Sequence, residues 1–251
     1  MRTHEVRTAV LRGAVVAVVW LAVWELGSLA IGHELLLPSP VSVARSLARM
    51  VVTGEFWSSI ARSMSRILLG YAMGAVGGIA LGVLTSRWRA AAAFFAPAMS
   101  AVKATPVASF VILLLAWIRG ANLSIAVSTL MVLPLVWQAT HTGLGAADPQ
   151  LLEMARAFGI GRIKVLRYIV LPPMKQQVLA ALRTALGFAW KAGVAGEVIA
   201  VPSGTIGMHL YNAKVYLEMP DMFAWTAVIV LTSVLLEKLL VFLSRGGERK
   251  K

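Results

Sequence analysis

The chain has 251 residues, 59% of them hydrophobic and only 14% charged, with a mean hydropathy of +0.78. A soluble domain carries about a quarter charged residues, so this apolar excess is more than one core absorbs and belongs in a bilayer. The lack of cysteine excludes disulfides and thiolate metal sites, and the net charge of +13 is read as basic loops held on the cytoplasmic side of a membrane rather than a nucleic-acid footprint.

At about 20 residues per span the length holds five to seven helices, so the fold class is all-α and integral to the membrane. The first span is expected over Val10–Ile31, interrupted only by Glu25. Arg2, Arg7 and Arg12 precede it as they would a signal peptide. The apolar run is too long for one, however, and His33-Glu34-Leu35 is not a small-x-small cleavage site, so the span is expected to be retained. Ser39 and Pro40 then suit the N-cap and first position of an amphipathic interfacial helix reaching to about Ser59. Val41, Ala44, Leu47 and Ala48 form its apolar side, with Arg45 and Arg49 on the wet side.

The second span is expected over Ile67–Thr85, where Gly70, Gly74, Gly78 and Gly82 recur every fourth residue. Such a stripe lets backbones approach closely, which favours packing inside the subunit over a dimer face. The third, Ala93–Ile118, holds Pro97 and Pro106 and must be kinked or broken. The turn Arg119–Asn122 leads to the fourth span, Leu123–Thr140. A basic polar stretch, Thr142–Gln177, separates this from the fifth, Val178–Val201. An outer segment, Pro202–Asp221, leads to the sixth, Met222–Leu243, and to a basic tail expected to be disordered.

Six spans put both termini on one side. The N-terminus, the 86–92 turn, the 142–177 stretch and the tail carry three, two, five and four Lys+Arg, 14 of the chain's 24, against five on the other side. That bias places both termini in the cytoplasm.

Within the basic stretch, Asp148 suits an N-cap, Pro149 the first helical position and Gly159 a left-handed C′. They bound a helix of about ten residues with Leu151, Leu152, Ala155 and Phe158 in one apolar stripe. A second helix is expected from Arg162 to Tyr168, broken by Ile169-Val170-Leu171-Pro172-Pro173. Physical pattern alone leaves two uses for the first helix equally open: resting on lipid heads, or docking a soluble partner.

Glu153-Met154-Ala155-x-x-x-Gly159, followed after nine residues by Ile169-x-Leu171-Pro172, resembles the EAA loop of ABC importer permeases at seven of eight fixed positions, with Met154 in place of the middle alanine. The rest of the chain is similar to the nitrate/sulfonate/taurine-type branch, through Leu37-Pro38-Ser39-Pro40, Lys103-Ala104-Thr105-Pro106, and Ala189-Trp190-Lys191 to Ala195-Gly196-Glu197. The resemblance implies the type I importer permease fold, with residues 1–36 as tail and first span, 37–245 as permease core holding a coupling loop at about 142–173, and 246–251 as tail. It implies a cytoplasmic coupling helix docking an ABC ATPase, with Glu153, Met154, Ala155, Ala157, Phe158, Gly159, Ile169, Leu171 and Pro172 as coupling residues. It further implies a second permease copy in a homodimer, an extracytoplasmic substrate-binding protein, and a bacterial inner membrane. ATP and Mg²⁺ would sit on the partner ATPase, leaving no cofactor on this chain, and a small anion (nitrate, sulfonate or taurine) would be carried.

Lys103, Arg183, Lys191, Glu197 and Lys238 fall in or near spans, where a charge costs at least ~2.5–3.5 kcal/mol. Arg183 and Lys238 are expected to snorkel to the cytoplasmic boundary. Lys103 and Lys191 are read as facing the path and suiting it to an anion, with Thr105, Pro106, Trp190 and Glu197 as further candidates. A tryptophan such as Trp190 is more often a packing residue than a contact. Glu197, six residues from Lys191, does not share its face, so it is expected to meet another helix or cap the outer segment.

Three rivals are weighed: an ion-gradient-driven secondary transporter, a membrane enzyme and a channel. No inverted repeat is evident, the four histidines lack metal-ligand spacing, and neither a Gly-x-Ser-x-Gly elbow nor a Gly-Lys pair for a P-loop occurs. The EAA-like loop has no use in any of the three.

Overall fold

The computed structural model describes residues 2–118, 120 and 122–246, so Arg119 and the tail from Gly247 lie outside the described residues. Among the described residues every regular element is helical. The helices are α1 (Arg2–Ile31), α2 (Pro40–Val51), α3 (Gly54–Arg87), α4 (Arg89–Ala104), α5 (Val107–Leu114), α6 (Asn122–Gly145), α7 (Pro149–Ala157), α8 (Arg162–Val165), α9 (Leu171–Ala200), α10 (Ile206–Val215) and α11 (Met219–Gly246). They form two compact units, and α3, α10 and α11 each contribute to both.

One unit takes residues up to 58 together with 209–229. After α1 the chain folds back on itself: Trp24 Nε1 donates to the Pro38 carbonyl at 3.0 Å and Ser28 Oγ to that of Leu37 at 2.9 Å. Ser39 caps α2 as expected, accepting from the Ser42 amide at 3.1 Å, with Pro40 in the first turn. The helix stops at Val51 rather than near Ser59. Thr53 Oγ1 accepts from the Phe56 amide and starts α3 at Gly54, well before Ile67. The inward face of α2 also differs from the expected one. Val43 and Ser46 are buried while Val41, Ala44 and Ala48 are exposed. Ser46 Oγ donates to Asp221 at the start of α11, which also pairs with Arg49 at 3.4 Å. A polar anchor set the inward side, because apolar periodicity cannot tell a protein-facing stripe from a lipid-facing one.

The other unit takes residues 59–208 and 230 onward. In it α3 packs closely on α6. An added Cβ at Gly74 would stand 2.7 Å from the Thr129 carbonyl oxygen, and one at Gly78 2.8 Å from that of Leu133. Gly70 meets the Ile125 carbonyl in the same way, and Gly82 meets the Thr140 side chain and the Trp137 carbonyl. The stripe thus packs within the chain, as the sequence favoured. Thr129 Oγ1 donates to the Gly70 carbonyl at 3.1 Å across this contact. Helix α9 closes the group: Ser128 Oγ donates to the Ala189 carbonyl at 3.1 Å, Tyr71 OH to that of Leu182 at 3.1 Å, and Gly193 packs on Ile67 and Ser128. Small residues and short hydroxyls are what bilayer-embedded helices use to associate, since lipid tails supply no hydrophobic drive.

Five helical segments are long and apolar enough to cross a membrane: 12–31, 54–87, 122–145, 162–200 and 219–242. Along the α3–α6 contact residue numbers rise together, from Gly70 with Ile125 to Gly82 with Thr140, so the two helices run parallel. Parallel spans require one crossing between them, and α4 with α5 supplies it. That pair is bent by 106° at its break. Pro106 makes the break and serves as N-cap of α5, whereas Pro97 is accommodated inside α4. Six crossings result, matching the expected count.

The expected break before the fifth span is absent. Residues 162–200 stay helical, with a π turn at Leu166–Val170 where the Leu171 amide reaches back five residues to the Leu166 carbonyl. Pro172 and Pro173 have no amide to donate, and a proline ring clashes with the carbonyl four residues back. The widened turn relieves that clash and lets the helix continue.

Candidate functional site

Helix α7 is closed at both ends as its sequence predicts. Asp148 accepts from the Gln150 amide at 2.9 Å with Pro149 in the first turn. At the other end Gly159 takes φ +61°. The Ile160 amide bonds the Ala155 carbonyl at 2.8 Å and the Gly159 amide that of Arg156 at 3.1 Å, a Schellman closure. The helix has nine residues. Its apolar stripe is divided in use. Ala155 is 1% exposed, and together with Leu152 and Ile160 it faces Val165, Leu166 and Val170 across a shallow recess. Leu151, Met154 and Phe158 remain exposed, Phe158 by 78%.

This division explains the tolerance at Met154. Its side chain stands on the exposed side of α7, whereas Ala155 is buried against the turn that follows. Glu153 and Ala157 are exposed on α7, Ile169 is half-buried in the π turn, and Leu171 and Pro172 are exposed at the start of α9. The structure therefore gathers the coupling candidates on one capped helix and the turn that follows it.

The membrane-depth candidates scatter. Lys103 Nζ donates to Gln138 Oε1 of α6 at 2.7 Å, and one turn on Thr142 Oγ1 donates to Gln177 Oε1 of α9 at 3.1 Å. Thr105 Oγ1 bonds back to the Ala101 carbonyl at 2.8 Å beside the exposed Pro106. Trp190 and Glu197 are wholly buried and reach no open surface of the chain. Lys191 is exposed, on a recess shared with Arg183, Gly187 and Glu237. Arg183 is half-buried there. Glu237 escaped the sequence reading, although a carboxylate inside an apolar span is itself a signal.

Glu197 does both things expected of it. Its Oε2 accepts from Ser63 Oγ of α3 at 2.7 Å and from the Gly207 amide of α10 at 3.4 Å. The Ile206 amide donates to Ser63 Oγ at 3.0 Å and the Met208 amide to Thr205 Oγ1 at 3.2 Å. Three successive amides at the start of α10 are thus satisfied by Ser63, Glu197 and Thr205, which is how a helix end survives burial. Nothing in the sequence connects Ser63 or Thr205 to Glu197, because that link exists only once α3, α9 and α10 converge. Among the described residues, no group of three His, Cys, Asp or Glu is placed to hold a metal.

Five segments long and apolar enough to cross a membrane, a bent pair that supplies a sixth, small-residue packing and a short capped helix outside them are the features of an integral membrane protein. The chain belongs to the family described as binding-protein-dependent transport system inner membrane component, which it matches over residues 74–246. It is 23% identical over 237 residues to a putative aliphatic sulfonates transport permease protein of Bacillus subtilis (strain 168), covering 94% of this chain and 86% of that one. It is 26% identical over 230 residues to the taurine transport system permease protein of Escherichia coli (strain K12), covering 89% and 82%. The bicarbonate transport system permease protein of Synechococcus elongatus is 25% identical over 193 residues, covering 76% and 69%. Among solved structures, an amino acid ABC transporter superposes with a TM-score of 0.66 at 18% identity, covering 79% of this chain and 97% of that one. The MetNI methionine ABC transporter gives 0.61 at 15% identity, covering 76% and 95%. The protein is an integral membrane permease subunit of an ABC importer, which works with an ATPase and a binding protein. The enzyme, channel and ion-driven readings fall away, since its relatives are transport permeases.

Proposed function

We propose that this chain forms the path for a small anion and receives the ATPase stroke through α7. In this reading both termini and α7 face the cytoplasm, residues 37–245 are the permease core, and two copies pair with two ATPase subunits that bind ATP and Mg²⁺. The observation that carries it is the exposed trio Leu151, Met154 and Phe158 on a helix rigidly capped at both ends. An apolar knob of this kind is costly in water and is relieved by a groove on a partner. Ala155 and the Gly159 closure fix the knob's angle, and beyond the turn at 158–161 the chain stays helical from Arg162 to Ala200 into the fifth span. Lys191 and Lys103 give the path cationic character, and relatives named for sulfonates, taurine and bicarbonate point the same way.

Co-purification through a tag on this chain tests the docking role. The parent is expected to bring down a P-loop ATPase, and Glu153→Arg, on the exposed face of α7, to lose it while keeping its fold. An ATPase that binds both equally would refute the coupling role of α7. No ATPase with either chain, alongside retained transport, would favour an ion-gradient-driven mechanism.

A further inference from the structure

Helices α3 and α9 pass each other in opposite directions. Ser63 meets Glu197, and one turn further along α3 Ile67 meets Gly193, one turn back along α9. Arg66 stands between these two contacts, three residues after Ser63, and so on the side of α3 that faces α9. It is half-buried, and its charge acts on Glu197. Glu197 is wholly closed to solvent, yet the bonds it makes all fall on one oxygen: Oε2 accepts from Ser63 Oγ and from the Gly207 amide. Among the described residues, neither Glu197 Oε1 nor Arg66 Nη1 has a hydrogen-bond partner, and both atoms are buried. The two side chains make no direct ion pair there either. A bare acceptor on an anion and a bare donor on a cation therefore stand on facing helices, each costly to leave unmet.

We infer that one internal water joins Arg66 to Glu197, accepting from Nη1 and donating to Oε1, so that a water-bridged ion pair ties the end of α9 to α3. A single water satisfies both bare atoms at once, and both of its bonds are charge-assisted. Such a bridge gives up little against a direct bond. An ion does not suit the place, because a cation would face the guanidinium and an anion the carboxylate. The same stretch of α3 also holds the turn that follows α9. Gly204 takes φ +67° there, and an added Cβ would collide with the Arg62 guanidinium. Arg62, Ser63 and Arg66 span little more than one turn of α3. With the bridge in place they meet, between them, the turn after α9, the first amides of α10 and both oxygens of Glu197. The site does not depend on which solute the chain carries.

A double-mutant cycle on the full chain in lipid nanodiscs tests the pair, read as the midpoint of thermal unfolding. Arg66→Met is expected to lower the midpoint of the parent by a few degrees, because Glu197 then loses its counter-charge. In a Glu197→Gln background the same substitution is expected to raise the midpoint, since it removes a cation that no longer has an anion to meet. Misfolding cannot produce that gain. Equal losses in the two backgrounds would show that the two side chains do not act on each other, and would overturn the pair. The water itself is read from an experimental map of the full chain that resolves ordered waters. One water within hydrogen-bond distance of both Arg66 Nη1 and Glu197 Oε1 is expected. Direct contact between guanidinium and carboxylate, or a map with no water between them, would overturn the bridge. Neither measurement needs the ATPase, so failure here leaves the importer reading standing.

Discussion

Replacing Glu197 by alanine removes one acceptor that two donors share, Ser63 Oγ and the Gly207 amide, inside a site closed to water. Leaving buried donors unpaired costs more than the bond contributed, because desolvation is then uncompensated. Glu197→Ala is therefore expected to destabilise the chain by about 2–3 kcal/mol. Glu197→Gln, whose side-chain carbonyl still accepts, is expected to lose clearly less. Unfolding in mixed detergent micelles measures both, and equal losses would contradict the acceptor argument. Residues differ sharply in how far sequence reveals them. Asp148, Pro149 and Gly159 were legible because a cap depends on its immediate neighbours, and the bonds found are local ones. Ser63 and Thr205 were not legible, since their value depends on a carboxylate brought from another helix.

For the helices, the contact of α3 with α6 supplies a sharp contrast between adjacent glycines. A Cβ at Gly78 would stand 2.8 Å from both the Leu133 carbonyl oxygen and Val136 Cβ, whereas at Gly77 the nearest atom is the Leu133 side-chain tip at 3.5 Å. Gly78→Ala is expected to cost about 1–3 kcal/mol through forced separation of the helices. Gly77→Ala is expected to be neutral or to gain up to about 1 kcal/mol from helix propensity. Thermal unfolding of the two variants decides it, and equal effects would count against the close approach. The four-residue period of the stripe announced this contact, but not its partner. The π turn was invisible for a different reason. Two prolines normally end a helix, and only the continuity of Arg162–Ala200 shows the chain widening instead.

For the whole chain, the proposed orientation makes a direct prediction, helped by the natural absence of cysteine. Single cysteines in place of Lys164, beyond α7, and Ser203, between α9 and α10, both fall at exposed positions. In intact cells a membrane-impermeant maleimide is expected to label Ser203→Cys and to reach Lys164→Cys only after lysis. The reverse pattern would invert the topology and place α7 outside, away from any ATPase. The sequence by itself determined that this protein lives in a bilayer, that it crosses about six times and that α7 is a capped helix. Those features depend on composition, on runs of apolar residues and on neighbours a few positions apart. The tertiary structure alone decided which faces turn inward, since lipid-facing and protein-facing residues are equally apolar. It also decided that α4 and α5 together make one crossing, through the parallel course of α3 and α6. It alone brought Glu237 over Gly187, because nothing along one helix records what a charge on another will meet.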